Sequence, residues 1–538
     1  MKFGRPSRGT TRSIVTALAP ALLAGGMVTA AVGAAQAAVA CSTSSLVSAI
    51  SSVSAKGGTV TLASKCTYTL TARNNTTDGG TGLPVIKGNV TVAGSGATIT
   101  RSTAAATPAF RIFDVASGGT LHLSSLTLSH GLANDGANGG GAIDSHGTLA
   151  VTGVTFSANR SPAATGTSGG AIDASGALTV TGSTFTGNTA QEGGGILTQN
   201  QATITNSTFT GNTATIFGGG GIVSAAGTTT VSHDSFSGNS GPGGGAIDND
   251  AVLAIADSTF TGNTGGANGG GAIQNFGTTT ITASTFSGNT DQFGADLHNF
   301  TGDSLTVTMS IVANGVSGTN CSGSAITDGG FNIDSGTSCG FSAAAHSMSS
   351  TNPGLGPLAS NGGPTKTMAL LAGSPAINAI PAATSGCINS TDQRGTLRPQ
   401  GQACDMGAYE LAQSGGAIKG DVGKCVDDSG FHAVSGNKIQ IWTCTGGINQ
   451  RWQLSSAGQL QIFGMCIGIT GSGGKGSKTV LSSCTGATNQ KWSHKSNGEY
   501  VLASNGMCLD DTGFSTTNGT QLEIWTCNDG ANQRWSLP

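Results

Sequence analysis

Charge is scarce in this chain. Lys, Arg, Asp and Glu make up 9 % of its 538 residues, and the net charge is −3. That excludes a disordered polyelectrolyte. It also leaves no basic surface of the kind that binds nucleic acid or an anionic membrane. Aromatics are equally thin at 5 %, and the long Leu, Glu and Lys runs of a helical protein are missing. No C-x-x-C occurs, which removes the usual zinc framework. After residue 40 no run of about 18 apolar residues exists to cross a bilayer as a helix. Collagen is out because the 89 Gly follow no three-residue period.

What is present is Gly, Ser, Thr and Asn in bulk, with short β-branched runs between them. This is the composition of a large turn-rich β protein. At the start, Lys2, Arg5, Arg8 and Arg12 precede a small-residue apolar stretch over 14–32. Two A-x-A sites follow, Ala35-Gln36-Ala37 and Ala38-Val39-Ala40. The pattern predicts a signal peptide over 1–40 and a secreted, extracellular, monomeric product. All twelve Cys lie beyond it, in neighbouring pairs separated by 17 to 25 residues. Cys41 neighbours Cys66, Cys321 neighbours Cys339, and Cys387 neighbours Cys404. Further on, Cys425 neighbours Cys444, Cys466 neighbours Cys484, and Cys508 neighbours Cys527. Connectivity does not follow from sequence, but sequential pairing is the simplest choice.

Self-comparison is the most informative step. GGGAID at 139–144 returns as GGAID at 169–173, GGGIL at 193–197, GGGIV at 219–223, GGGAID at 243–248 and GGGAIQ at 269–274. Each is followed by an alternating Thr/Val/Ile run and a phrase such as STFTGN. The phrase yields a Phe series (Phe156, Phe185, Phe209, Phe236, Phe260, Phe286) and an Asn series three places on. The Asn series is Asn159, Asn188, Asn212, Asn239, Asn263 and Asn289, with Asn314 continuing it. A period of 24–29 residues without helical segments means one coil of a parallel β-helix. Stacked coils bury columns of identical residues that one coil cannot bury alone. Gly triplets are expected at φ > 0 corners, and the repeated Asn as an internal amide ladder. About nine coils are expected between 85 and 315. A sandwich or propeller would give turn spacing without such columns.

G-G-A-I paired with F-x-x-N resembles the repeat of polymorphic outer-membrane proteins, which are β-helical adhesins. Residues 351–411 resemble the choice-of-anchor Q segment of secreted bacterial β-helix proteins. The match is carried by Asn361-Gly362-Gly363-Pro364, Asp392-Gln393-Arg394-Gly395, Arg398-Pro399 and Asp405-Met406-Gly407-Ala408. The resemblance implies a C-terminal cap, with Arg394 and Arg398 paired internally. The β-helix with its N-terminal cap is then 41–350, the cap segment 351–411 and a linker 412–417.

Composition changes at 418. All five Trp lie beyond it, and three subrepeats end in N-Q-R/K-W at 449–452, 489–492 and 532–535. Such Q-x-W phrases resemble the ricin-type β-trefoil lectins over 418–538. The chain therefore reads as all-β, a right-handed parallel β-helix followed by a β-trefoil. The resemblance implies a sugar site made of a carboxylate two residues after the first Cys of a pair, an aromatic two before the second, a polar residue two before that, and the Asn-Gln of the closing phrase. The first subrepeat matches with Asp427, Gln440, Trp442, Asn449 and Gln450. The third matches with Asp510, Trp525, Asn532 and Gln533, with Glu523 in the Gln place. The second has Gly468, Val480 and Ser482 instead. The expected partner is a polysaccharide or other glycan, neutral in character.

The β-helix is harder to read, because fold is not function. Between Ile112 and Thr365 there are fourteen acidic residues and one basic residue, Arg160. A pectate-type lyase needs a basic residue and cations. The D-D, G-H-G and R-x-K signatures of polygalacturonase-like sites are absent, and no His is placed for nucleophilic Ser or Cys chemistry. A carboxylate-only glycosidase survives, with Asp144 and Asp173 on adjacent coils as acid and nucleophile and Asp248 in reserve. The plainer alternative makes these residues solvated or calcium-binding coil edges. Asn249, Asn275 and Asn299 read as an external ladder. No metal site or cofactor is expected, calcium on the acidic column apart. Two functions remain open. One is a carbohydrate-binding protein with a scaffold or adhesin-like stalk. The other is a modular glycan-degrading enzyme anchored by its lectin.

Overall fold

A computed structural model describes residues 37–538 apart from 135–138, 163–167, 267–268, 372, 389, 402, 413–414, 432–433 and 464. The expected signal segment up to residue 36 lies outside the described residues. Val39 pairs with the first strands of the fold. Its amide donates to Thr61 O (2.8 Å) and its carbonyl accepts from the Tyr68 hydroxyl (2.8 Å).

Parallel ladders run through successive coils to form a solenoid of about nine turns. One ladder contains Phe113–Val115, Ile143–Ser145, Ile172–Ala174 and the six coils after them, nine strands in all. A second aligns Leu149, Leu178 and Ala202, and a third aligns Phe156, Phe185 and Phe209. In each, equivalent repeat positions stand opposite one another, so the sequence period becomes spatial columns. The six phenylalanines stack at 4.6–4.7 Å between ring centroids and are fully buried.

The Asn series is an internal ladder. Asn188 Nδ2 donates to Asn212 Oδ1 (2.9 Å) and to the Phe156 carbonyl (3.0 Å), and the same pair of bonds recurs coil after coil. The ladder stops at Asn289, whose Nδ2 donates to Asp296 Oδ1 (2.7 Å). Asn314 does not continue it. The register Phe286↔Val312 puts Asn314 opposite Gly288, and Asn314 (φ 57°) takes that glycine's left-handed conformation (φ 70°).

Among the Gly triplets only Gly140 (φ 77°) takes the expected left-handed corner. The recurring left-handed corners fall to the glycines before the ladder Asn, such as Gly211 (φ 63°). Within the triplets the requirement is close approach: a Cβ on Gly220 would lie 2.5 Å from both Gly245 O and Ser240 N of the next coil. Asn249, Asn275 and Asn299 are inside, not external. They are fully buried and joined by Nδ2–Oδ1 bonds of 3.0 and 2.9 Å.

An α-helix, Thr43–Val53, covers the first coil with Leu46 and Ile50 buried. All six sequential Cys pairs are disulfides. Cys41 is bonded to Cys66 and holds the start of the helix. Cys321 is bonded to Cys339 at the last coil, and Cys387 to Cys404 in the segment that follows. In the C-terminal part Cys425 is bonded to Cys444, Cys466 to Cys484 and Cys508 to Cys527, one bridge in each subrepeat. Cys339 and Cys404 are buried, whereas Cys444 is exposed and Cys484 half-buried, so the bridges of the subrepeats reach the surface.

The segment 351–411 lies along the flank of the solenoid rather than across its end. Gln393 Nε2 donates to Asp234 O (3.0 Å), the Ala408 amide to Thr285 Oγ1 (2.9 Å) and the Gly407 amide to Met309 O (2.8 Å), so the segment touches several coils. The layer that follows the last coil comes from Met348, which bridges Ile333. Arg398 pairs with Glu410 (3.1 Å), and Arg394 pairs with Asp392 (2.6 Å) beneath the Tyr409 ring.

The C-terminal part has a separate core in which Trp452, Trp492 and Trp535 are buried. Each indole donates to a backbone carbonyl of its own subrepeat: Val426 (2.8 Å), Ile467 (3.2 Å) and Leu509 (3.0 Å). Gly416 already pairs with Trp452, so this unit begins inside the expected linker.

Candidate functional site

Each C-terminal subrepeat presents two antiparallel strands and a 3-10 turn. In the first these are Lys424–Asp428, Ile439–Thr443 and Ile448–Gln450. The register sets Asp427 opposite Gln440 and Cys425 opposite Trp442. Gln440 Nε2 donates to Asp427 Oδ1 (2.9 Å). Asn449 Nδ2 (2.8 Å) and Gln450 Nε2 (2.9 Å) donate to Oδ2. One carboxylate thus gathers three amides. Burial raises the Asp427 pKa, and these donors oppose the rise. Trp442 stands beside the group and is 39 % exposed, whereas Trp452, Trp492 and Trp535 are buried.

The third subrepeat repeats the plan with Cys508–Asp510, Glu523–Trp525 and Ala531–Gln533. Asn532 Nδ2 (2.9 Å) and Gln533 Nε2 (2.7 Å) donate to Asp510 Oδ2. In the second, Gly468 faces Val480 and Cys466 faces Ser482, so neither carboxylate nor aromatic is present. Asn489 is exposed, and Gln490 Nε2 turns to Ser482 Oγ (2.8 Å). One feature is common to all three. Gln450, Gln490 and Gln533 each accept a backbone N–H through Oε1, at 2.8, 2.8 and 2.9 Å. The Gln of the closing phrase therefore shapes the turn, and Gln450 and Gln533, fully buried, orient the carboxylate from behind.

Residues 414–535 match the family model described as ricin-type beta-trefoil lectin domain. They form such a domain. Similar solved structures include the agglutinin from Abrus precatorius, 25 % identical, over 24 % of this chain and 51 % of that one, with a TM-score of 0.21. This chain thus spans about half the length of that agglutinin. Others are the earthworm R-type lectin C-half in complex with GalNAc and the Rhizoctonia solani agglutinin. The first is 20 % identical over 22 % of this chain and 95 % of that one, TM-score 0.20. The second is 22 % identical over 24 % and 98 %, TM-score 0.21.

Within the lectin domain the two complete subrepeats differ at their rims. Lys475, from the second subrepeat, holds its ammonium 4.1 Å from the Trp525 ring centroid. Glu523 cannot bond Asp510 as Gln440 bonds Asp427, because both are acceptors. It pairs instead with Lys478 Nζ (2.6 Å). Burial raises the Asp510 pKa, Gln533 opposes, and the neighbouring charge of Glu523 raises it further.

On the solenoid, Asp144 and Asp173 are in register on adjacent coils. They are not solvated edges, being 2 % and 6 % exposed. Burial pushes the Asp144 pKa up to about 6 against the pull of Arg111, and lifts that of Asp173 well above the usual range, with Asp144 adding to it. Asp248 is set apart, because Leu197 and Val223 occupy the two coils between. Sequence reasoning missed three partners. Asp114 precedes Asp144 in the same column. Arg111, fully buried one residue before the acidic window, puts Nη1 2.6 Å from Asp144 Oδ2. A histidine is placed after all: His146 Nδ1 is 2.9 Å from Ser175 Oγ, and Nε2 is 2.9 Å from Asp78 Oδ2.

Proposed function

We propose that the protein binds glycans outside the cell through its lectin domain, at the Asp427 and Asp510 sites, and that the solenoid serves as its scaffold. The observation that carries the reading is one of association. The first and third subrepeats keep a carboxylate, its amide donors and a neighbouring tryptophan together, while the second lacks both the carboxylate and the aromatic. Folding alone would not remove them as a set, since the turn-shaping Gln490 and the Cys466–Cys484 bridge both stay. The carboxylate accepts from sugar hydroxyls, and the indole covers the apolar face of the ring. The open Trp442 site suits a neutral sugar. Six disulfides fit an oxidising compartment, and no helix among the described residues is long and apolar enough to cross a membrane. A glycan panel probed with the full chain and with Trp442→Ala/Trp525→Ala tests the reading. Binding is expected in the first case and at least tenfold weaker in the second, and a double substitution that leaves affinity unchanged overturns it.

A second reading, a glycan-degrading enzyme anchored by the lectin, is favoured by one observation, the in-register Asp144 and Asp173. Its test is sugar release from a polysaccharide panel, lost in Asp173→Asn with lectin binding intact.

A further inference from the structure

His146 stands at the outer edge of the solenoid between a hydroxyl, Ser175, and two carboxylates, Asp78 and Asp144. Ser175 Oγ lies 3.5 Å from the Ser145 carbonyl, to which it donates, and 2.9 Å from His146 Nδ1. In the tautomer whose Nδ1–H donates to Ser175 Oγ, Nε2 presents its lone pair. Nε2 points at two carboxylates, with Asp78 Oδ2 at 2.9 Å and Asp144 Oδ1 at 3.7 Å. These three atoms lie within 4.8 Å of one another. Such a convergence is satisfied by a cation among the three atoms or by a proton on Nε2 donated to Asp78.

We infer that Asp78, His146 and Asp144 bind a divalent transition-metal ion. Donors held at about 2.1 Å in a tetrahedral shell sit roughly 3.4 Å apart, so the two observed separations bracket that value. The supporting groups behave as an outer shell should. Ser175 fixes the imidazole, and Arg111 engages Asp144 through Oδ2, which leaves Oδ1 turned to His146. Local charge also favours a dication. Asp114 precedes Asp144 in the column and is 1 % exposed, and its Oδ2 has no hydrogen-bond partner among the described residues. With Asp173 on the next coil and Glu192 beyond, five carboxylates are set against Arg111, Lys87 and His146 itself. The site is reachable, since the side chains of His146 and Asp78 are 34 % and 38 % exposed. One imidazole and two carboxylates select zinc or manganese over calcium, which prefers an all-oxygen shell. Neither C-x-x-C nor H-x-x-x-H spacing announces the site, because its ligands come from residues 78, 144 and 146.

The test is zinc uptake by the full chain after chelator treatment, followed by calorimetry and elemental analysis, with manganese and calcium as parallel arms. Wild type is expected to bind one more zinc ion per chain than His146→Ala. Asp78→Asn should lose the same ion, and Ser175→Ala should bind it about tenfold more weakly. Circular dichroism and an unchanged melting temperature of the solenoid report that each variant folds. Equal zinc uptake by wild type and His146→Ala overturns the inference. So does calcium binding as tight as zinc and indifferent to His146, or an Nε2 that nitrogen NMR shows still protonated at saturating zinc, since a proton then does the ion's work.

Discussion

The first and third lectin subrepeats share a carboxylate with its amide donors, and differ in who occupies the tryptophan. At Trp442 more than a third of the side chain faces water. At Trp525 an ammonium from a neighbouring loop already sits over the ring, and a second lysine ties down the residue opposite Asp510. A ligand entering the first site meets a bare apolar face. A ligand entering the third must displace Lys475 or bring a negative group to it. Conserving the polar half of a sugar site thus leaves its affinity and charge preference open, and both are decided by side chains outside the motif.

This contrast is sharpest for Trp442→Ala. Loss of stacking should weaken binding of a neutral glycan by about tenfold. Trp525→Ala should change it far less, and equal effects in calorimetry would erase the distinction. Next in size is Lys475→Ala, which removes a cation–π contact of about 0.5–1 kcal/mol at an exposed site. The third site should then bind neutral glycans about threefold more tightly and lose its preference for ligands carrying carboxylate or sulfate. If neutral glycan affinity instead falls, Lys475 is a sugar contact and not a cover.

Acidification should separate binding from stability. Burial raises the pKa values of Asp427 and Asp510, so both lose their charge at a higher pH than an exposed Asp. Glycan binding needs the carboxylate as acceptor. It should be full at neutral pH and decline on acidification before ordinary carboxylates titrate. The folded domain meanwhile holds these protons more tightly than the unfolded chain. Their contribution to stability therefore grows as pH falls through the folded values. Melting and binding measured on the same samples between pH 7 and about 4 should move in opposite directions. The smallest effect belongs to the incomplete subrepeat. Ser482→Ala removes one acceptor from Gln490 and should cost about 1 kcal/mol in denaturation with no change in glycan binding.

Much of this was legible in the residues. The columns of Phe and Asn declare a solenoid because stacking demands identical neighbours, and the Cys–Asp and Gln-x-Trp spacings bring Asp427, Asn449 and Trp442 together through a two-strand register. Three kinds of feature were not legible. Asn314 looked like a ladder residue until the register moved it one place. The flank position of 351–411 depends on contacts such as Gln393 with Asp234, 159 residues away, that no local pattern encodes. Lys475, Arg111 and His146 act on partners 29 to 68 residues distant or in another subrepeat, and carry no motif of their own.

The amide ladder has a consequence for how such a chain can change length. Asn188 and Asn212 are equivalent nodes of one lattice, and Thr189 and Thr213, the residues that follow them, are in register. Excising 189–212 would therefore join two positions that already have the same surroundings, and every column would close on its next member. A substitution at a single node has no such remedy, since it deprives both neighbours at once. The solenoid should tolerate loss or gain of a whole turn better than one wrong amide, much as a screw thread survives shortening but not a burr.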